Sequence, residues 1–321
     1  MDFDATGKVS LDHVYDQPDP RAYFQTLRAL DYRLPQLAKP YFSKLLDEYR
    51  EARPDRRLRL LDIGCSYGVN AALLKFDVAM DELYDRYAWD GDPAAAGPDR
   101  HGERDRGAGG GPSAARGRRR PAADPRGRET LVASDRALAR ARGGVSDLEV
   151  IGLDVSGPAL AYALDAGFLD EALHADLESH EPTEAERARL AGIDLVVSTG
   201  CVGYVTGRTL ARVVRAAAGA EPGEASEGST SRLPWMAHFT LRMFPFDPIA
   251  ETLAGFGYRT VVVDRLFEQR RFASAREQDQ VLATLAGVGV DPRGLEADGW
   301  LYAQLFISRP PESSPFGLRS P

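Results

Sequence analysis

The chain has 321 residues, 43% of them hydrophobic, which is enough for one large α/β domain or two small ones with a real core. Its formal net charge of −8 argues against nucleic acid or an acidic membrane as the main partner, because both need a basic face. Two cysteines give no disulfide framework and fit a reducing compartment, and no apolar run approaches the ~20 residues that span a bilayer. The opening "MDFDATGKVSLDHVYDQ" is polar and acidic, unlike a secretory signal. The expectation is a soluble cytoplasmic protein.

In chain order, "DPRAYFQTLRALDYRL" carries Tyr23, Phe24, Leu27 and Leu30 at helical spacing, and "KPYFSKLLDEYREAR" repeats the pattern with Pro40 in a first turn. These helices form an expected N-terminal cap over residues 1–57. "RLRLLDIG" reads as a buried strand ending at Asp62, followed by a glycine turn and the helical "VNAALLK". "MDELYDRYAW" is a further helical piece. Residues 91–128 contain no Ile, Leu, Val, Met, Phe, Tyr or Trp. Such a segment cannot bury enough apolar surface to offset its ordering entropy, so a disordered insertion is expected there. Its "RGRRR" run is either a solvated loop or a basic arm for an acidic partner.

Order resumes with the helical "ETLVASDRALARAR". A strand "LEVIGLDVS" ends at Asp154, and the helix "GPALAYALDAGF" follows. "DEALHADLES" holds a short strand, and "IDLVVSTG" is a near-continuous apolar strand of the kind buried in parallel sheets. Helix "GRTLARVVRAAAG", a flexible loop at 220–232, strand "PWMAHFTLRMF", helix "DPIAETLAGFGY", strand "RTVVVDRLF", helix "SAREQDQVLATLAGVGV" and strand "WLYAQLFIS" complete the pattern, before a loose tail over 309–321. The alternation predicts an α/β, doubly wound, mostly parallel seven-stranded sheet with helices on both faces, spanning 58–308. In such sheets a ligand sits beyond the carboxyl ends of the strands where their order reverses.

The turn Asp62-Ile63-Gly64-Cys65-Ser66-Tyr67-Gly68 lies at such an end. A phosphate-binding P-loop needs GxxxxGK before Ser or Thr, and here the glycines are too close and Val69 follows the second. The dinucleotide fingerprint GxGxxG fails as well, because Ser66 stands where a glycine is required. Asp62, at the mouth of the turn, repels a pyrophosphate and suits an ammonium group.

"LLDIGCSYG" resembles the first motif, (D/E)xGxxxG, of the class I methyltransferases that use S-adenosylmethionine (SAM). "EVIGLDVSGPALAYA" is similar to the family's second strand, with Asp154 where an acidic residue holds the ribose hydroxyls and Val155 beside it. "LHADLES" offers Asp176 and the Leu177 amide for the adenine, and "IDLVVSTGCVGYV" offers Ser198, Thr199 and Gly200 near the methyl donor. The resemblance implies SAM as cofactor, bound by Asp62, Gly64, Cys65, Ser66, Gly68, Asp154, Val155, Asp176, Leu177, Ser198, Thr199 and Gly200, with Gly64 and Gly68 letting the backbone approach it. Tyr15, in "HVYDQPDPRAYF" with His13 and Asp16, implies a contact to the SAM carboxylate or a lid; a solvated cap is the alternative. The long stretch between the first helix and the second strand, with its low-complexity block, departs from the family pattern.

The implied reaction is methyl transfer to an O, N or C nucleophile of a small molecule. A base is needed only for a protonated nucleophile. With five histidines in the chain, candidates are few. His238 on the fifth strand is a base or a core histidine; Tyr204 after the fourth strand faces substrate or packs. Arg242 pairs with a substrate carboxylate or is a surface charge. Cys65 and Cys201 follow neighbouring strands and approach each other as small apolar residues near the ligand. No metal-ligand spacing is present, so a metal-independent enzyme is expected. A non-methylating enzyme of the same fold and a binding or regulatory protein remain as alternatives, and oligomeric state, including a homodimer, is open.

Overall fold

Apolar runs alternate with amphipathic stretches along the chain, and the computed structural model, which describes residues 12–53, 56–88, 125–219 and 233–310, folds them as alternating strands and helices. Expectations for 91–124, for the loop at 220–232 and for the tail beyond 310 lie outside the described residues. The elements are α1 (Asp12–Tyr15), α2 (Arg21–Ala29), α3 (Leu34–Ala52), β1 (Leu58–Ile63), α4 (Val69–Lys75), α5 (Met80–Arg86), α6 (Pro125–Arg142), β2 (Leu148–Asp154), α7 (Gly157–Ala166), β3 (Glu171–His174), α8 (Glu184–Leu190), β4 (Leu195–Thr199), α9 (Gly207–Ala217), β5 (Trp235–Leu241), α10 (Asp247–Ala254), β6 (Arg259–Arg271), α11 (Ala275–Gly287) and β7 (Trp300–Arg309).

The strands form one seven-stranded sheet in the order β3-β2-β1-β4-β5-β7-β6. Pairings from β3 to β5 are parallel, and β7 runs antiparallel between β5 and β6. The order therefore reverses between β1 and β4, and the glycine turn stands at that point.

Strand alternation divides the core. Leu60, Val150, Leu195 and Val197 face α2 to α7 and α11, while Leu61, Ile63, Ile151 and Val196 face α8, α9 and α10. Helix α3 is not a detached cap. Its Tyr41, Phe42, Leu45 and Tyr49 pack into the same cluster as Phe239 and Trp235 of β5, and the Tyr49 hydroxyl donates to Asp194 at 2.7 Å.

Several elements differ from expectation, β6 among them, which runs on from Phe267 to Arg271. Helix α3 starts at Leu34, with Pro35 in its first turn, and runs through Pro40. An interior proline costs about 3 kcal/mol, and the buried stripe from Leu34 to Tyr49 outweighs it. Helix α6 starts at Pro125, so the low-complexity segment gives way to helix before Arg128; the Arg128 guanidinium donates to Asp165 and to the Pro18 carbonyl, both at 2.8 Å. Helix α8 was not anticipated. Thr183 and Glu186 close a reciprocal capping box at its start, which satisfies two otherwise orphaned N–H groups.

Candidate functional site

The turn after β1 needs glycine for internal packing. Gly64 has φ +69°, and a Cβ there would lie 2.8 Å from the Cβ of Cys201. Gly68, at φ +75°, caps α4, and a Cβ would meet Ala163 and Phe168 at 3.1 and 3.2 Å. The sequence reading gave both glycines to the ligand. Gly64 does line the cavity described below, but what forbids a side chain at either position is a neighbouring element of the protein.

Across the turn, Asp154 at the end of β2 holds the loop. One carboxylate oxygen accepts the Ser66 N–H at 2.8 Å and the other accepts the Ser156 N–H at 2.9 Å. Burial raises its pKa against those two bonds. The Ser156 hydroxyl caps α7 and also donates to the Tyr15 carbonyl at 2.8 Å. The Tyr67 hydroxyl lies 2.9 Å from the Gln17 carbonyl and 3.2 Å from that of Val14. Helix α1 and the residues after it are thereby fastened over the glycine turn.

Beneath them lies a cavity of about 740 Å³, a size suited to a cofactor-sized ligand. The ends of β1, β2, β3 and β4 line it through Ile63 to Ser66, Leu153 to Ser156, Ala175 to Ser179 and Thr199 to Cys201. Tyr23, Leu27, Tyr32 and Pro35 from α2, α3 and the turn between them line it as well, with Gln269 and Arg270 from β6. Asp16, Asp154, Asp176 and Glu178 are among its lining residues, the Glu178 carboxylate accepting from the Thr206 N–H at 3.0 Å and from the Thr206 and Thr209 hydroxyls at 2.7 and 2.8 Å. Its basic residue, Arg270, is spent on buried Glu277 in a two-pronged pair at 2.6 and 3.0 Å. The Asp176 carboxylate caps its own turn, accepting from the N–H groups of Glu178 and Ser179 at 3.0 and 3.2 Å, and its hydrogen bond with Ser179 holds its pKa low.

Of the expected site residues, Tyr15, Gly64, Cys65, Ser66, Asp154, Val155, Asp176, Leu177, Thr199, Gly200 and Tyr204 line this cavity. Asp62, Gly68, Ser198 and His238 do not. Asp62 is not at the mouth of the turn; it is 0% exposed, under the floor. One oxygen accepts from the Asn70 amide at 3.0 Å, and the other has no partner among the described residues. Burial pushes its pKa up to about 7, with Asp154 adding to the rise and Asn70 opposing it. Ser198 and His238 are cross-strand partners in the β4–β5 register, with Nδ1 2.8 Å from Oγ. Burial lowers the imidazole pKa to about 4, so at neutral pH it is an uncharged core group beside Phe246 and is not placed as a base. Arg242 bonds Glu296 at 2.6 Å and the Asp291 carbonyl at 2.9 Å. Cys65 and Cys201 both line the cavity as free thiols, and burial pushes Cys201 up to about 12.

Sequence reasoning missed Asn70, Tyr32 and Gln269. The Asn70 amide bridges Asp62 and, at 3.1 Å, the Thr199 hydroxyl. A polar residue in the otherwise apolar "VNAALL" was the available signal. Unpartnered buried oxygens on Asp62, Ser66 and Asn70 cluster under the donor side of the cavity. Among the described residues no group of three or more His, Cys, Asp or Glu is placed to hold a metal ion, and no helix is long and apolar enough to cross a membrane.

A sheet in this strand order, with β7 inserted antiparallel and a glycine turn at the reversal point, is distinctive. The fold is a doubly wound, Rossmann-like α/β sheet. No family model and no curated protein matches the chain. Solved structures similar to it include a putative sarcosine dimethylglycine methyltransferase from Galdieria sulphuraria, at 12% identity over 86% of each chain with a TM-score of 0.37. A TehB-like SAM-dependent methyltransferase from Corynebacterium glutamicum matches at 12% identity, over 86% of this chain and 100% of that one, with a TM-score of 0.33. Magnesium protoporphyrin IX methyltransferase from Synechocystis with bound SAM matches at 10% identity, over 84% and 78%, with a TM-score of 0.33. Likenesses this distant carry no argument.

Proposed function

We propose that the protein binds SAM at the carboxyl ends of β1 to β4 and transfers its methyl group to a small molecule held against the N-terminal helices. The observation that carries this reading is the charge of the cavity. Asp16, Asp154, Asp176 and Glu178 are among its lining residues, and its arginine is already neutralised by Glu277. Such a lining opposes a phosphate and suits a cationic adenosine compound. The buried Asp62 carboxylate beneath the floor adds to the same preference through space, since it favours a positive charge above it.

In this reading the Asp154 carboxylate holds the ribose diol, while its bonds to Ser66 and Ser156 fix the loop on which the rest of the ligand lies. Asp62, through Asn70, holds the floor and favours a positive charge above it. Bound SAM supplies an electrophilic methyl group, so the protein needs mainly to align the acceptor and exclude water. Tyr23, Leu27 and Pro35 do the second, and Tyr32 and Thr199 lie where an acceptor would be aligned. Tyr204, at the rim and in edge contact with Phe244, belongs to the entrance.

Calorimetry with S-adenosylhomocysteine, against ATP and NADH, tests the reading. Binding of the first alone is expected. Asp154→Asn should weaken it about 10- to 100-fold, the worth of a hydrogen bond to a charged group. Absence of binding, or equal binding of ATP, defeats the proposal. Tight binding with no S-adenosylhomocysteine released from SAM across an acceptor panel would leave a SAM protein that does not methylate.

A further inference from the structure

The cavity carries, beside Gly200, a polar group for which the donor site has no use. Gln269 lines the cavity, is 5% exposed, and its amide oxygen is buried with no partner among the described residues. An unmet buried acceptor is costly, so its placement calls for a reason.

The local structure is built to put it there. The β6–β7 register passes from Glu268 opposite Tyr302 to Arg270 opposite Leu301, leaving Gln269 as the extra residue of a bulge. Bulges leave one residue unpaired and re-aim its side chain. This one is secured on both sides. The Gln269 carbonyl accepts the Arg33 N–H at 2.9 Å, and the Arg271 N–H donates to the Leu30 carbonyl at 2.7 Å, which ties the bulge to the turn between α2 and α3. Arg270 is clamped by Glu277, which also accepts the Ala273 N–H at 2.7 Å. The amide comes to rest on Gly200, where a Cβ would lie only 2.6 Å from Nε2. Glycine at the end of β4 is thus what admits the glutamine.

The surroundings define the ligand. Leu27, Pro35 and Tyr23 supply apolar and aromatic surface, and the charges flanking Gln269 are both paired, Glu268 with Arg33 and Arg270 with Glu277. A charged acceptor finds no unpaired counter-charge flanking Gln269. We infer that Gln269 is a specificity-determining residue for the methyl acceptor, and that the acceptor is a neutral molecule with an apolar, ring-sized body that presents an N–H or O–H to the Gln269 amide. The inference rests on the donor reading above. Gln269 takes no proton; it orients the acceptor so that its nucleophilic atom faces the donor side.

The test uses the full chain loaded with S-adenosylhomocysteine, titrated calorimetrically with matched probes. These are phenol against anisole and indole against 1-methylindole, with benzoate and benzylamine as charged counterparts. Wild type should bind phenol and indole about tenfold more tightly than their capped partners, the scale of one well-made hydrogen bond. Gln269→Leu should shrink that preference to within about twofold, and Gln269→Glu, of the same size but charged, should turn it toward benzylamine. Affinity for S-adenosylhomocysteine is measured first. Its absence in wild type sinks the donor reading and this inference with it, whereas failure of the probe series sinks this inference alone. With it present, the assignment is overturned if no neutral probe binds, if capped and uncapped probes bind equally, if wild type prefers a charged probe, or if Gln269→Leu keeps the full preference.

Discussion

Asp62→Asn isolates the buried carboxylate under the cavity floor. The substitution keeps an oxygen to accept from Asn70 and removes only the titration. In the folded chain the carboxyl pKa rises from 3.8 to about 7, chiefly by burial. A folded pKa above the unfolded one means that the native state keeps a proton which the unfolded state releases. Wild-type stability therefore falls as pH climbs from about 4 to about 7, and levels off above. At about 1.4 kcal/mol per unit, the shift amounts to about 4 kcal/mol in all, of which about 3 kcal/mol falls between pH 5 and pH 8. The asparagine variant has no such proton. Urea denaturation of both proteins, repeated across this range without ligand, yields the difference in stability at each pH and cancels groups common to the two. Wild type should lose about 3 kcal/mol relative to the variant on going from pH 5 to pH 8. A difference that stays flat within about 1 kcal/mol, or that moves the other way, refutes a carboxylate forced toward neutrality by burial.

Saturating S-adenosylhomocysteine should shrink that drift, because an ammonium group above the floor favours the ionised carboxylate; an unchanged drift would separate Asp62 from the ligand. Gly64→Ala should cost about 2–5 kcal/mol, combining the left-handed backbone with the contact to the Cys201 Cβ. Adding Cys201→Gly should return the contact part, and a coupling below about 0.5 kcal/mol in the denaturation cycle would contradict the packing assignment. Arg270→Met takes the guanidinium away from buried Glu277 and should lower stability by about 3–5 kcal/mol, whereas Arg270→Met with Glu277→Leu should recover most of it; equal melting temperatures for the two variants would deny the pair its role.

The donor side of this molecule is written in short-range pattern. Apolar runs stopping at Asp62 and Asp154, and the polar or small residues beyond them, place β1, β2 and the cavity's edge, because parallel strands buried on both faces have little other way to read. What lies deeper depends on which face a residue takes. His238 and Ser198 look like site residues by position, yet the alternation of β4 and β5 turns them together toward the face covered by α10. Asp62 looks like a mouth residue, yet α4 and Asn70 lie over it. Gln269 had no local signal at all, since a bulge is a property of two strands in register and not of either sequence alone. Helix α8 is the opposite case. The Thr183 and Glu186 spacing is a helix start in the plain text of the chain.

Tyr67 sits inside the glycine turn, is buried, and bonds backward to the backbone of Val14 and Gln17. The segment over the cavity is therefore fastened to the protein and not to whatever the cavity holds. A fastening of that kind raises the barrier for arrival and for departure by the same amount. Loosening it, as Tyr67→Phe would, speeds exchange in both directions while the equilibrium constant stays nearly where it was. The Tyr67 hydroxyl shares that fastening with Ser156, so the segment over the cavity is held at two points that belong to the protein alone.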